Sequence, residues 1–200
     1  MRLFIAIELP DEIRAALAAV QRELRRAQAD VTWTKPDHQH LTLKFLGEVE
    51  AQLVPAITQA CQQAVSAIHP FSVSLKDTGA FPNLKQPRVL WVGLERGLAE
   101  LRELHARLDE HLAPLGFEKD ARAFKPHLTL GRVKSMKNVA ALVSRLPATR
   151  LPALAFSVGE IVLMHSQLHP AGSIYTPLAK VALPSPGPTG AGSTDCQSTP

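Results

Sequence analysis

Two stretches of the chain repeat the four residues His-Leu-Thr-Leu, at 40–43 and at 127–130, and a Lys-Pro pair precedes each copy. Successive side chains of a β-strand point to opposite faces. Each copy therefore predicts a strand with two leucines on a buried face and a histidine beside a threonine on the other. Chance gives about 0.01 copies of the full pattern in a chain of this composition. We interpret the repeat as functional, the alternative being the repeated alternation of a duplicated fold.

The residue types on the second face are those of acid–base chemistry at phosphorus. An imidazole has an ordinary pKa of about 6.5, so His40 and His127 can act as a pair, one neutral and one protonated. The hydroxyls of Thr42 and Thr129 are donors that can hold phosphate oxygens, as is Arg132, which closely follows the second motif. Neither a Ser-His-Asp order nor a reactive cysteine is present. We therefore expect in-line displacement at phosphorus by water, without a covalent intermediate.

The formal net charge is only +4, but the cations are unevenly placed. Between 121 and 137, around the second motif, the chain has five cations and no acid: Arg122, Lys125, Arg132, Lys134 and Lys137. A positive field beside a candidate site favours a phosphate-bearing ligand. A solvated surface run is the alternative interpretation.

The spacing of apolar residues predicts strands and helices in alternation. Strands are expected at 2–7, 40–46, 71–79, 88–94, at the second motif, near 156–164 and near 174–182. Helices are expected after Pro10, over 54–68, over 95–112 and around 137–146. This order indicates an α+β fold with short helices packed on sheets. The two motifs lie 87 positions apart in similar surroundings, which indicates an internal duplication that forms two pseudo-symmetric lobes around a central groove.

Residues 1–183 are predicted to form this single two-lobed domain, and the Pro-, Gly-, Ser- and Thr-rich residues 184–200 a disordered tail. No apolar run approaches the roughly 18 residues of a membrane span. The opening MRLFIAIELP is typical of a first strand rather than of a signal peptide. Cys61 and Cys196 form neither a metal spacing nor a disulfide framework. We expect a cytoplasmic protein with no membrane partner.

Strict alternation also predicts where the residues after the first motif lie. Phe45 would join Leu41 and Leu43 in the core, because the three side chains share one face of the strand. Lys44 would share the face of His40, where either the groove or solvent could receive it.

Four segments carry a family resemblance: HLTLKFLGEV, RVLWVGL, KPHLTLGRV and SQLHPAGSIYTPL. They resemble the RNA 2′,3′-cyclic phosphodiesterases of the two-histidine phosphoesterase superfamily, which were first described as 2′-5′ RNA ligases. The resemblance extends from residue 2 to about residue 182. It implies two lobes, each a mainly antiparallel sheet with outer helices, whose motifs face each other across the groove. It implies no cofactor.

The resemblance also implies the activity, which is metal-independent opening of a terminal 2′,3′-cyclic phosphate on RNA to a 2′-phosphate and a 3′-hydroxyl. By position, His40 would donate a proton to the leaving 3′-oxygen and His127 would accept one from water. Thr42 and Thr129 would bind the phosphate, whereas Arg132 as a further phosphate ligand rests on its position alone. We expect a monomer acting on RNA or an oligonucleotide with a cyclic phosphate end.

Two other functions are open. One is 2′-5′ RNA ligation as the main role, in which a 5′-hydroxyl replaces water. The other is an RNA-end-binding module without turnover. Two histidines at equivalent positions argue against the module, because binding alone could use lysine or arginine there.

Several other side chains have two interpretations each. His38 and His40 form an H-x-H pair that could bind a metal, but no third ligand recurs nearby in a fitting pattern, so no metal is predicted. His105 is expected at the surface or in an interface. Trp33 and Tyr175 could stack on a base of single-stranded RNA, and packing in the core or at a rim is the alternative.

Overall fold

The structure is a computed structural model that describes residues 1–149, 151–169 and 173–185. The strands within these residues are β1 (Arg2–Glu8), β2 (Val31–Trp33), β3 (His40–Glu48), β4 (Phe71–Phe81), β5 (Val89–Leu94), β6 (His127–Val133), β7 (Ala155–Val158), β8 (Glu160–Gln167) and β9 (Ile174–Ala182). The α-helices are α1 (Asp11–Arg25), α2 (Val54–Val65), α3 (Leu98–Leu112) and α4 (Val139–Arg145). This order confirms the predicted α+β class.

The strands form two antiparallel sheets, and the first of them contains strands from both ends of the described chain. The first sheet has the order β3-β1-β8-β9, and the second has the order β2-β6-β5-β4-β7. Helices α2 and α3 pack against each other and against β9 and β3 of the first sheet. Helix α1 lies beside β6 of the second sheet and beside α4. The two predicted lobes are therefore present, but they are not successive halves of the sequence.

The amphipathic pattern of helices and strands explains how the two lobes share a core. The buried stripe of α1 is the one that the sequence predicts: Ile13, Leu17, Val20 and Leu24. Alternate residues of β1 enter the same main core: Leu3, Ile5 and Ile7. Phe4 and Ala6 lie on the other face of β1, in a smaller apolar cluster that Tyr175 covers. Among the described residues, no helix is both long and apolar enough to cross a bilayer.

Two predicted elements differ from those of the structure. Strand β2 has only three residues, too few for a periodic pattern to reveal. The single strand expected near 156–164 is two strands, β7 and β8, on either side of Gly159. Because β7 pairs with β4 in the second sheet and β8 pairs with β1 in the first, the chain changes sheets at this glycine.

The end of the described chain is well packed. Leu183 follows β9, is buried, and donates its backbone N–H to the carbonyl oxygen of Gly159 at 2.8 Å. Of the predicted disordered tail, residues 186–200 lie outside the described residues. Cys61 is a free cysteine in α2, and its burial raises the pKa of the thiol to about 12. It is an ordinary core residue, as expected.

A β-bulge just after the first motif changes the face on which the next residues lie. In the pairing of β1 with β3, Leu43 has no residue opposite it. Leu43 and Lys44 are consequently both buried, and Phe45 is turned away from the core with 65% of its surface exposed. The predictions that Phe45 lies in the core and that Lys44 faces the groove or solvent are therefore wrong.

Lys44 lies in a buried polar network that reaches the segment leading into β6. Its ammonium forms an ion pair with Asp109 of α3, donates to the carbonyl oxygen of Glu118 at 2.9 Å, and lies 3.9 Å from a carboxylate oxygen of Asp120. His105 of α3 is also buried, with Nε2 2.9 Å from the other carboxylate oxygen of Asp120. The expected surface or interface position of His105 is therefore wrong.

Candidate active site

Residues of both sheets line a groove of about 630 Å³, and the two motifs lie on its walls. Strand β3 contributes His40 and Thr42, and β6 contributes His127 and Thr129. The leucines of both motifs are buried on the opposite strand faces. The alternation of the two strands therefore brings together the four motif side chains that the sequence places in the site.

The same backbone contact orients each histidine. Nδ1 of His40 lies 2.9 Å from the carbonyl oxygen of His38. Nδ1 of His127 lies 2.7 Å from the carbonyl oxygen of Lys125. Because a carbonyl oxygen can only accept a hydrogen bond, Nδ1 is the donor in both rings. In the neutral ring Nε2 is then the free nitrogen, which can accept a proton and, once protonated, donate it.

Burial makes both imidazoles weaker bases than a free histidine. Desolvation lowers the pKa of His40 to about 4, opposed in part by the hydrogen bond to the His38 carbonyl. Desolvation also lowers the pKa of His127, and the positive charge of Arg132 lowers it further. Both rings are therefore neutral at pH 7 in the free protein. A phosphate anion bound beside them would favour the protonated form.

The low pKa of His40 predicts a fold that loses stability in acid. In the unfolded chain the pKa returns to about 6.5, so between that value and about 4 only the unfolded state binds the proton. The free energy of unfolding should therefore fall as the pH falls through this window, by about 2 kcal/mol between pH 7 and pH 5. Urea unfolding of the wild type and of His40→Asn at both pH values measures the loss. The variant should lose about 2 kcal/mol less than the wild type, because the buried His127 is present in both proteins.

The exposed His69 provides the matched control for this measurement. His69→Asn should retain the pH dependence that His40 causes, because this substitution leaves the buried His40 ring in place. An unchanged pH dependence in His40→Asn would contradict the buried position of the His40 ring.

A second β-bulge places Arg132 in the groove. In the pairing of β5 with β6, Leu130 has no residue opposite it. Leu130 and Gly131 are both buried, and Arg132 lines the groove together with His127 and Thr129. Strict alternation would have turned the guanidinium toward the core. The bulge therefore makes Arg132 available to a phosphate bound between the motifs.

The two bulges occupy equivalent positions in the duplicated strands. Phe45 and Arg132 are separated by the same 87 residues as the two histidines, and both line the groove. A buried side chain of α1 holds the second bulge: the amide nitrogen of Gln21 donates to the carbonyl oxygens of Leu130 at 2.7 Å and Thr34 at 2.8 Å. One motif is thus followed by an aromatic ring in the groove and the other by a cation.

The charges of the groove favour an anion. Arg2 and Arg132 line it, and none of the described lining residues is an aspartate or a glutamate. Guanidinium groups form short, strong hydrogen bonds with phosphate oxygens. Of the five cations between 121 and 137, Arg132 lines the groove and the other four do not. The positive field predicted around the second motif is therefore only partly a property of the site.

Aromatic side chains that belong to no motif surround each histidine. The ring centroid of Phe4 lies 4.8 Å from that of His40, and the ring of Tyr175 meets His40 edge-on at 5.4 Å. The ring of Phe81 meets that of His127 edge-on at 5.0 Å. The alternation of β1 contains a signal for Phe4, because it places this side chain on the face opposite the core. Tyr175 lines the groove and packs against Phe4 at 5.2 Å, a position that fits both of its interpretations, stacking on a base and packing at a rim.

Two other side chains of the β2–β3 region, Trp33 and Gln39, differ in whether they line the groove. Trp33 lies beneath the guanidinium of Arg25, 5.0 Å from ring centroid to Cζ, and is not among the lining residues of the groove. Packing, rather than stacking on a bound base, is therefore its role in this structure. Gln39 lines the groove, and its buried amide oxygen and nitrogen have no hydrogen-bond partner among the described residues. Because such atoms are costly to leave unpaired, Gln39 is a further candidate for contact with a polar ligand.

The H-x-H pair does not belong to a metal-like cluster in the described part of the chain. The three side chains whose ligand atoms lie close enough for a metal are His105, Asp109 and Asp120. Lys44 forms its ion pair within that cluster, so an ammonium already neutralises the carboxylates that a cation would need.

Paired H-x-T strands from two antiparallel sheets, facing one groove that favours anions, define a phosphoesterase of the two-histidine class. The sequence profile of the 2′-5′ RNA ligase superfamily matches residues 9–170, and the chain belongs to this superfamily. The RNA 2′,3′-cyclic phosphodiesterase of Methanothermobacter thermautotrophicus is 34% identical over 179 residues, which cover 88% of this chain and 95% of that protein. The enzyme of the same name from Thermus thermophilus is 37% identical over 196 residues, covering 92% and 90%.

Solved structures show the same relationship. The crystal structure of TT0787 from Thermus thermophilus superposes with a TM-score of 0.73 at 34% identity, covering 92% of this chain and 99% of that chain. Escherichia coli LigT in complex with 3′-AMP superposes with a TM-score of 0.70 at 29% identity, covering 91% and 97%. The fold and the family that the sequence resemblance implies are therefore confirmed.

Proposed function

We propose that the protein hydrolyses the terminal 2′,3′-cyclic phosphate of RNA to a 2′-phosphate and a 3′-hydroxyl, with no metal ion or cofactor. The observation that carries the proposal is the convergence of both H-x-T motifs on one groove with two arginines and no carboxylate among its described lining residues. Sequence identity of 34% and 37% with two RNA 2′,3′-cyclic phosphodiesterases, over most of the chain, supports the proposed RNA substrate. A cytoplasmic location and a monomeric state complete the proposal; the free thiol of Cys61 and a groove built from one chain fit them.

In the proposed reaction, water attacks phosphorus opposite the 3′-oxygen. Nε2 of His127 accepts a proton from the water as the new P–O bond forms, and Nε2 of His40 donates a proton to the 3′-oxygen as the P–O3′ bond breaks. Each Nδ1 remains bonded to its backbone carbonyl, which fixes the ring and stabilises the imidazolium. The hydroxyls of Thr42 and Thr129 and the guanidinium of Arg132 hold the non-bridging phosphate oxygens.

The burial of His40 places a condition on this assignment. A proton donor must be protonated before the reaction, whereas desolvation lowers the pKa of His40 to about 4 in the free protein. The phosphodiester anion supplies the missing stabilisation, because an opposite charge within about 4–6 Å favours the imidazolium. The substrate should therefore bind together with a proton.

Product analysis in the presence of a chelator tests the proposed activity. In EDTA, an oligonucleotide with a 2′,3′-cyclic phosphate end should be hydrolysed at an unchanged rate, and its mass should increase by that of one water. Phosphorus NMR of the product should show coupling of the phosphate to the 2′-hydrogen. Activity that is lost in EDTA and restored by zinc or manganese would contradict the metal-independent mechanism. A 3′-phosphate product would contradict the proposed leaving oxygen, and binding without any turnover would favour the RNA-end-binding module.

Arg132→Ala should lower kcat/KM by about 10- to 100-fold, because a hydrogen bond to a charged group contributes about 1.5–3 kcal/mol. The dependence of kcat/KM on salt should also weaken, since one phosphate contact is lost. Steady-state kinetics at low and high salt measure both effects. Arg122→Ala is the control, because this exposed arginine is not a lining residue of the groove. Equal kinetics for the two variants would exclude Arg132 from the site.

A further inference from the structure

A second cavity, of about 390 Å³, adjoins the groove at His127. It shares Phe81 and His127 with the groove, and Trp91, Arg102 and Lys125 are among its other walls. We name it the aromatic cavity. Its described lining residues belong to the second sheet, to α3 and to the segment before β6, and none belongs to the sheet of His40. The aromatic cavity therefore extends the groove on the His127 side.

Three rings lead in succession from the groove into the aromatic cavity. The ring of Phe81 lies 5.0 Å from that of His127 and 5.3 Å from that of Trp91. The Trp91 ring lies directly over Gly79, where an added Cβ would be 2.3 Å from it. Only glycine at this position lets the indole lie against β4 and form a flat wall. A volume of this size is within the range of small-molecule sites, and such walls suit a stacked nucleobase.

Cations outnumber acids among the residues that line the aromatic cavity. Arg102 of α3 and Lys125 are both exposed at the aromatic cavity, and neither has an ion-pair partner among the described residues. Lys76 is also a lining residue but is paired with Glu95 at 3.1 Å. Asp77 is the acid among the lining residues, so three cations face one carboxylate. Sites for single-stranded nucleic acid combine stacking surfaces with cations that follow the backbone. The walls therefore suit a nucleotide strand better than an uncharged small molecule.

We propose that the aromatic cavity binds the 5′-hydroxyl nucleoside of a second RNA, which attacks the cyclic phosphate in place of water. This inference rests on the proposed function, in which His127 deprotonates the nucleophile and His40 protonates the leaving oxygen. Attacking and leaving oxygens lie roughly in line across phosphorus, so the nucleophile enters on the His127 side, where the aromatic cavity lies. A water molecule needs no stacking walls, whereas a nucleoside does.

The proposed step balances without a further co-reactant. The acceptor O5′ forms a bond to phosphorus as the P–O3′ bond of the cyclic phosphate breaks. Nε2 of His127 takes the proton of the 5′-hydroxyl, and Nε2 of His40 gives a proton to the 3′-oxygen. The product is a 2′-5′ phosphodiester, the linkage that the name of the superfamily describes; the structure adds a place for the acceptor strand.

Competition between the two nucleophiles tests the inference. A labelled oligonucleotide with a cyclic phosphate end is incubated with the dinucleoside monophosphate ApA, and ligated and hydrolysed products are separated. Trp91→Leu and Arg102→Gln should each lower the ratio of ligated to hydrolysed product by about tenfold, while kcat/KM for hydrolysis without ApA changes less than twofold. Arg96→Gln, an exposed arginine outside both cavities, should leave the ratio unchanged.

The fluorescence of the two tryptophans gives a binding measurement that does not depend on turnover. ApA should quench Trp33→Phe, which retains Trp91, and should not quench Trp91→Phe, which retains Trp33. Wild-type hydrolysis with no ligated product at saturating ApA would overturn this inference alone. An equal loss of hydrolysis in Trp91→Leu and Arg102→Gln would overturn it as well, because the aromatic cavity would then hold the cyclic-phosphate strand. Absence of any hydrolysis would overturn the proposed function instead.

Discussion

His40→Ala and His127→Ala should each lose on the order of 10² to 10⁴ in kcat on a 2′,3′-cyclic phosphate, and only His40→Ala should recover on a nitrophenyl phosphodiester. A sugar hydroxyl is a poor leaving group that needs a proton as its bond breaks, whereas nitrophenolate leaves without one. The nitrophenyl ester therefore removes the need for the general acid. The need for a base that activates water remains, so His127→Ala should stay inactive on both substrates.

The comparison of the two substrates separates each mechanistic alternative. Recovery of His127→Ala, and not of His40→Ala, on the nitrophenyl ester would reverse the two roles. Full activity of both variants on the cyclic phosphate would refute the catalytic interpretation of the motifs. His111→Ala is the control, because this histidine of α3 is not a lining residue of the groove. A circular dichroism spectrum for each variant excludes loss of the fold as the cause.

Alternation within a strand was sufficient to predict the motif side chains. His40 and Thr42 share the groove face of β3, and Leu41 and Leu43 share the buried face, because the pleat has a period of two. A second local rule, the helical period of 3.6 residues, predicted the buried stripe of α1. These features depend only on neighbours in the sequence, so a single chain is enough to reveal them.

Alternation failed where a β-bulge inserts one extra residue, since the faces of the following side chains are reversed until the next irregularity, which in β3 is at Leu46. Lys44 and Phe45 exchange the positions that the pattern predicts for them. Arg132 was predicted to bind phosphate from its position after the motif, and it is the bulge at Leu130 that turns it toward the groove. The bulge in β3 leaves no mark in the local sequence, because it depends on pairing with β1. The bulge in β6 is followed directly by Gly131, a residue type that often marks a bulge.

Long-range pairing also decided which strands share a sheet. Strands β8 and β9, from the end of the described chain, complete the sheet of β1 and β3. The ring of Tyr175 thereby reaches His40, 135 residues earlier in the sequence. No spacing within one segment could predict this contact, and the interleaved lobes are hidden from sequence reasoning for the same reason.

Lys44→Met should destabilise the fold by about 3–5 kcal/mol, because it leaves the buried carboxylate of Asp109 without its cation. Methionine replaces the aliphatic part of the lysine side chain and lacks the ammonium, so the change removes charge with little change in packing. The carbonyl oxygen of Glu118 also loses its donor, at 2.9 Å in the wild type. Urea unfolding at pH 7 measures the loss of free energy.

The matched control is Lys180→Met. Lys180 also forms ion pairs, with Glu8 at 2.6 Å and Glu160 at 3.0 Å, but about half of its side chain is exposed, at 51%. Solvent screens pairs of this kind, so their loss typically costs little. If Lys44→Met were no more destabilising than Lys180→Met, the buried position of Lys44, and with it the bulge in β3, would be wrong.

The double variant Lys44→Met with Asp109→Leu distinguishes a broken ion pair from a packing defect. Removing both charges also removes the cost of burying either of them alone, so the double variant should be more stable than Lys44→Met. Some loss relative to the wild type should persist, because Asp109 also accepts the backbone N–H of Asp120 at 3.0 Å. If Lys44→Met does not fold at all, a double variant that does fold would lead to the same conclusion. If the loss of stability in the double variant equalled the sum of the losses in Lys44→Met and in Asp109→Leu, the two charges would not be coupled. Lys44 would then contribute to the core only through its aliphatic chain.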